Sequence, residues 1–169
     1  VIPAYSAGTF MLRAEDDTLL DELKQRVLNC FIGAATASGA RFEYRWEGRM
    51  ASMCSNSTLA RLFSQNMESL GRKMRYSLPF RSFASSDIGN VSQRVPSIHG
   101  LVAAAPEGTI GHSPEMASAA ASEMGIRGML DGATAMAMTV VDLVAMPTTI
   151  MKMKEEFRQK CRKSSPRKP

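Results

Sequence analysis

Both histidines of the chain, His99 and His112, fall in one polar stretch between Ser85 and Glu115. Imidazole binds metals and moves protons near neutrality, so chemistry is sought there first. His112 stands in Gly111-His112-Ser113-Pro114-Glu115. Ser113 suits a helix N-cap, Pro114 the first helical position and Glu115 the first turn. His112 is thus placed just outside a helix N-terminus. A neutral imidazole there keeps a lone pair for a metal, and an ordinary surface or capping histidine fits the same position. Asp87 and Asn90 lie in Ser85-Ser86-Asp87-Ile88-Gly89-Asn90-Val91-Ser92. An Asp can orient a metal-bound histidine and an Asn can hold a substrate amide; Ser, Asp, Gly and Asn are also ordinary turn residues. No Gly-x-Ser-x-Gly elbow supports a serine hydrolase. No Gly-Lys-Ser/Thr follows Gly108 and Gly111, so no phosphate loop is read there.

The elements that must position these residues are read from periodicity. Val1 to Arg13 alternates as a strand, with Ile2, Ala4, Phe10 and Leu12 on one face. Acids at 15–17 and Thr18 open a helix whose stripe is Leu20, Leu23, Val27, Cys30 and Ala34, ending at Gly39. Arg41 to Glu47 has a strict period of two, with Phe42, Tyr44 and Trp46 opposite Arg41, Glu43, Arg45 and Glu47. That pattern predicts a strand covered on its aromatic face and wet on the charged one. Asn56 to Gly71 reads as a helix, Arg72 to Phe83 as a basic surface loop, and Ile98 to Ala104 as a short strand. Pro114 to about Met146 reads as helical, broken near Gly125, Gly128 or Gly132. A last helix runs from Thr148 to about Arg162. The many methionines fall on the helical stripes and are read as core filler.

Composition narrows the classes. The net charge is +5, but Lys152 to Pro169 holds the excess and the rest is near neutral. The basic character belongs to a tail expected to be disordered, so no nucleic-acid partner is expected. No apolar run approaches the roughly 20 residues that span a bilayer, so no membrane partner is expected either. Three widely spaced cysteines, Cys30, Cys54 and Cys161, form neither a CxxC pair nor a disulfide framework. Such usage points to a cytoplasmic setting.

The Ser-Ser-Asp-x-Gly-Asn-Val-Ser run, the Val95-Pro96-Ser97-Ile98-His99 run and Gly-His-Ser-Pro-Glu together resemble the C-terminal part of the metal-dependent aminoacylase/carboxypeptidase family, closest to its amidohydrolase-like dipeptidase branch. The resemblance covers most of Val1 to about Val144. It implies an α+β/α/β fold: a partial lid domain (β-α-β, antiparallel sheet), then the C-terminal part of a mixed-sheet metallo-exopeptidase catalytic domain. The implied boundaries are 1–50 for the second half of the lid or dimerisation domain, 51–150 for the catalytic part, and 151–169 for a last helix and the tail.

The resemblance also implies hydrolysis of a dipeptide or N-acyl amino acid by a metal-activated water, and a homodimer formed through the lid. In the family the final histidine, matched by His112, is a ligand of a two-metal site, and the resemblance implies two zinc ions. A His-x-Asp pair, a Glu-Glu pair and another histidine come from earlier in the family's chain and are absent here. The chain is therefore expected to be a C-terminal fragment, inactive alone, that carries no catalytic residue. Arg13 matches an arginine that approaches the substrate carboxylate when the lid closes. Asn90 and His99 are the further substrate-binding candidates, and Asp87 is expected to support the metal ligand from behind. The competing expectation is a non-catalytic dimerisation or interaction module on the same scaffold.

Overall fold

The computed structural model describes residues 3–75 and 86–160. The loop expected at 72–83 lies largely outside them, as do Ser85 and almost all of the basic tail. Six helices are seen: α1 (Asp17–Ser38), α2 (Ser57–Ser69), α3 (Ile88–Ser92), α4 (Pro114–Ala120), α5 (Glu123–Ala145) and α6 (Pro147–Lys160).

Their ends follow local chemistry. Asp16, Asn56, Ser113 and Ser122 each turn a side-chain oxygen onto an amide of the first turn of α1, α2, α4 and α5. Such caps satisfy donors that a helix cannot pair internally. Gly39 ends α1 in the left-handed region, at φ 69°, and its amide closes on Ala35 and Thr36.

The expected α+β/α/β fold is not what forms. Among the described residues there is no strand and no sheet. The single ladder contact is an isolated parallel bridge between Ser55 and Ser97. The arms at residues 3–14 and 40–50 flank α1 without regular secondary structure, and in the second of them the aromatic and charged side chains separate as the alternation predicts. Phe10 packs on Phe31 of α1 at 5.0 Å between ring centres, and Phe31, Phe42, Tyr44 and Trp46 continue the row. On the other face Arg41 pairs with Glu43 and Arg45 with Glu47. A period of two fixes which side chains share a face; a sheet also needs a neighbour whose amides and carbonyls are in register. Neither arm has one, so both stay exposed ribbons and α1 buries no residue. The strand expected at Ile98–Ala104 is likewise absent.

The helical lobe is built on α2 and α5. Phe63, Met67 and Ala135 form its core, with Leu70, Met74, Ile98 and Val102 packed around it. The face of α5 turned to this core is Gly125, Gly128, Gly132, Ala135 and Thr139. These glycines were expected to break the helix, and the break falls instead at Ser122. The glycines bring other backbone close: a Cβ on Gly128 would sit 2.8 Å from the Ala103 carbonyl oxygen. By length and mean hydropathy, 1.3, α5 is the one described helix that could cross a bilayer. Its two aspartates have protein partners: Asp131 binds Arg72 at 2.7 Å and Asp142 accepts from Asn66 at 2.8 Å.

The lobe is closed by α6, whose Glu156 reaches the start of α2. One carboxylate oxygen accepts from the Ser57 amide at 2.7 Å, the other from the Thr58 amide at 2.9 Å and hydroxyl at 2.8 Å. Lys160 adds an ion pair at 2.8 Å. Burial would raise this carboxyl; the bonds from Lys160, the two amides and the Thr58 hydroxyl outweigh it and hold the group far below the usual carboxylate range. A depressed folded-state value means stability that is complete above the unfolded carboxyl's range and is lost as pH falls through and below it. Glu156→Gln is expected to cost about 1–2 kcal/mol at neutral pH. The variant should also lose part of the acid-induced destabilisation, measured as melting temperature from pH 7 down to pH 3. Parallel melting curves across that range would remove the clamp.

Candidate functional site

The arm before α1 and the polypeptide around α3 face each other across a cleft of about 700 Å³. One wall is the arm from Thr9 to Asp16 with Lys24 and Trp46. The other holds Ser86, Ile88, Gly89 and His99, and residues 47–53 form the floor. The cleft is amphipathic and carries both signs of charge, which suits a small zwitterion.

Two of the expected substrate-binding residues, Arg13 and His99, line this cleft, and both are exposed. The Nε and Nη2 of Arg13 donate to the Met11 thioether at 3.3 and 3.2 Å, which lays the guanidinium along the arm. Sulfur is a weak acceptor, and the contact orients the guanidinium. Trp46 carries the Lys24 ammonium over its ring at 4.4 Å, a cation–π pair at the cleft wall.

Asn90 does not line the cleft. It stands behind the wall, where its Oδ1 accepts from the Ala51 amide at 2.6 Å and its Nδ2 donates to the Arg49 carbonyl at 3.4 Å. Asp87 precedes α3, gives it no side-chain cap, and touches only the Ser86 hydroxyl at 3.5 Å among the contacts seen. The run read as a turn is in fact this one-turn helix.

His112 is placed as expected, exposed and directly before the Ser113 cap of α4, but it is outside the cleft. Its φ is +62°, and it is the one non-glycine described residue in that region. The Glu115 carboxyl beside it is held below its usual range by its own backbone amide and by the Ser113 hydroxyl. Arg13 and His99 thus both line the cleft, whereas His112 and Asp87 do not.

No group of three or more His, Cys, Asp or Glu side chains converges among the described residues. His112 by itself does not make a metal centre. Of the described cysteines Cys30 is a free, exposed thiol, whereas Cys54 is disulfide-bonded, which corrects the reading of unpaired thiols.

Sequence reasoning did not find the residues that build the cleft floor, because Asp17, Arg49 and Ser52 carry no motif. It named Glu156 nowhere, although α2 has no acid in its own first turn and so must draw one from elsewhere.

No protein-family model matches the chain. The chain is 28% identical over 163 residues, 95% of its length, to an Xaa-Arg dipeptidase of Mus musculus. It has the same identity and coverage with an Xaa-Arg dipeptidase of Homo sapiens. It spans 38% and 37% of the length of these two curated relatives. Over nearly all of its residues, then, the chain is similar to a part of a dipeptidase.

Proposed function

We propose that this chain acts as part of a dipeptidase of the metal-dependent aminoacylase/carboxypeptidase type, which hydrolyses the amide bond of a dipeptide. The observation that carries the reading is the similarity along 95% of the chain to two proteins named Xaa-Arg dipeptidase. The cleft is compatible with it, since Arg13 and His99 are both among the residues that line it. In this reading the Arg13 fork receives the substrate carboxylate through two parallel hydrogen bonds. His99 forms the opposite wall against the amino-terminal residue. In the same reading the imidazole of His112 would be a single ligand of a zinc ion. A homodimer through the 1–50 region belongs to the same reading.

The test is release of free arginine from Ala-Arg by the protein purified from its own cells, with zinc restored. Release above a mock purification is the expected result, and none would overturn the reading. The competing interaction module draws on the apolar residues that α5 leaves at the surface, such as Met129, Val140 and Val144. It predicts no hydrolysis.

Arg13→Lys separates the substrate roles. Lysine keeps the charge and loses the planar fork. KM for Ala-Arg is expected to rise about tenfold, while KM for the carboxamide of the same dipeptide changes little. Equal effects on both substrates would remove Arg13 from carboxylate recognition.

A further inference from the structure

Residues 49–54 join the α1 unit to the helical lobe, and side chains grip them from both sides. From α1, Asp17 Oδ1 accepts from the Ser52 amide at 3.2 Å and its hydroxyl at 3.1 Å, and Arg49 binds Asp21 at 2.7 Å. From the α3 side, Asn90 accepts from the Ala51 amide at 2.6 Å. The Ser92 hydroxyl accepts from the Cys54 amide at 2.9 Å, and Gln93 donates to the Ser52 carbonyl at 2.8 Å. Ser92 is fully buried. Gly89 lies so close that a Cβ there would run into the Ala51 carbonyl oxygen. The amides of Ala51, Ser52 and Cys54 are thus paired with side chains where a strand would use backbone.

This grip matters because α1 packs against no other described helix. The angle between the α1 unit and the rest is set where residues 49–54 are held. The cleft takes one wall from each unit, so the same angle sets the separation of Arg13 and His99.

We infer that Asn90 is a positioning residue: with Ser92 and Gln93 it clamps residues 49–54 and so fixes the orientation of the α1 unit over the cleft. Its importance for hydrolysis rests on the dipeptidase reading; the clamp itself does not.

The test uses two nitroxide labels, one on the free thiol of Cys30 and one on Ser118→Cys in α4, together with amide exchange. The unmodified clamp should give one narrow label-to-label distance distribution. Asn90→Ala is expected to broaden it and to speed exchange at Ala51, Ser52 and Cys54 together, by about tenfold or more. Asn90→Asp retains the oxygen that accepts from Ala51 and should recover most of the narrow distribution. Gln93→Ala, which removes one bond of the same grip, should broaden it to a smaller extent and covers the case in which Asn90→Ala fails to fold. An unchanged distribution in Asn90→Ala, with faster exchange at Ala51 alone, would reduce Asn90 to a local contact and overturn the inference. Neither readout involves a substrate, so failure here is distinct from failure of the dipeptidase reading.

Discussion

Met67→Ala is expected to remove about 2–5 kcal/mol of folding stability, the largest loss from any single truncation among the described residues. Met67 is 1% exposed and sits between Phe63 of α2 and Ala135 of α5. The buried apolar core is short: Leu62, Phe63, Met67 and Ala135 among the described residues. The surrounding helix cannot collapse into the space left by the thioether chain. Gly128 and Gly132 already bring α5 against residues 102–104, and a Cβ at Gly132 would be 3.3 Å from Val102. The cavity therefore stays, and the lining atoms lose their dispersion partners. Domains of ordinary stability hold about 5–15 kcal/mol in total, so the variant is close to unfolding at room temperature. Met67→Leu fills nearly the same volume and should cost less than about 1.5 kcal/mol. Urea unfolding of both variants checks this. A loss below about 1 kcal/mol for Met67→Ala would mean that α2 and α5 are not packed through this residue.

How far the sequence carried differs between helices, arms and site, for physical reasons. Helix starts were legible because a cap is a local event: Asn56 and Ser113 accept from amides three residues on, and those residues are visible in any short window. The left-handed Gly39 is local in the same sense. The glycines of α5 were misjudged because a glycine in a helix has two uses. A lone sequence shows its low propensity but not that a carbonyl from another segment will lie where its Cβ would be. The arms show a third case. The alternation correctly sorted Phe42, Tyr44 and Trp46 from Arg41 and Glu43, yet pairing is a property of two segments, and the partner was not in the pattern.

The same limit applies to the site. Arg13 and His99 are 86 positions apart, and only the resemblance suggested them both as substrate residues. That Asn90 would hold Ala51 could not be read from either residue, since both belong to ordinary turn chemistry. The resemblance named the residues, and the hydrogen bond from the Ala51 amide to Asn90 is seen only in the structure.

His112→Gly is expected to lower dipeptide hydrolysis at least about a hundredfold, some 2.7 kcal/mol in transition-state terms, while leaving stability within about 1 kcal/mol. The two halves of this outcome have separate causes. His112 is exposed, so its removal opens no cavity. Its φ of +62° is costly for a side-chain-bearing residue and free for glycine. Relief of that strain offsets the extra freedom that glycine gains in the unfolded chain. Strain kept at an exposed histidine, where glycine would fit without it, argues that the imidazole is held for a reason other than folding. If that reason is coordination, metal content should fall with activity and the melting temperature should not move. His112→Val would test the backbone half alone, because a β-branched residue in the left-handed region is strained and should destabilise the loop before α4. Full hydrolysis and unchanged metal content in His112→Gly would leave His112 as a residue of the helix start and take the metal assignment with it.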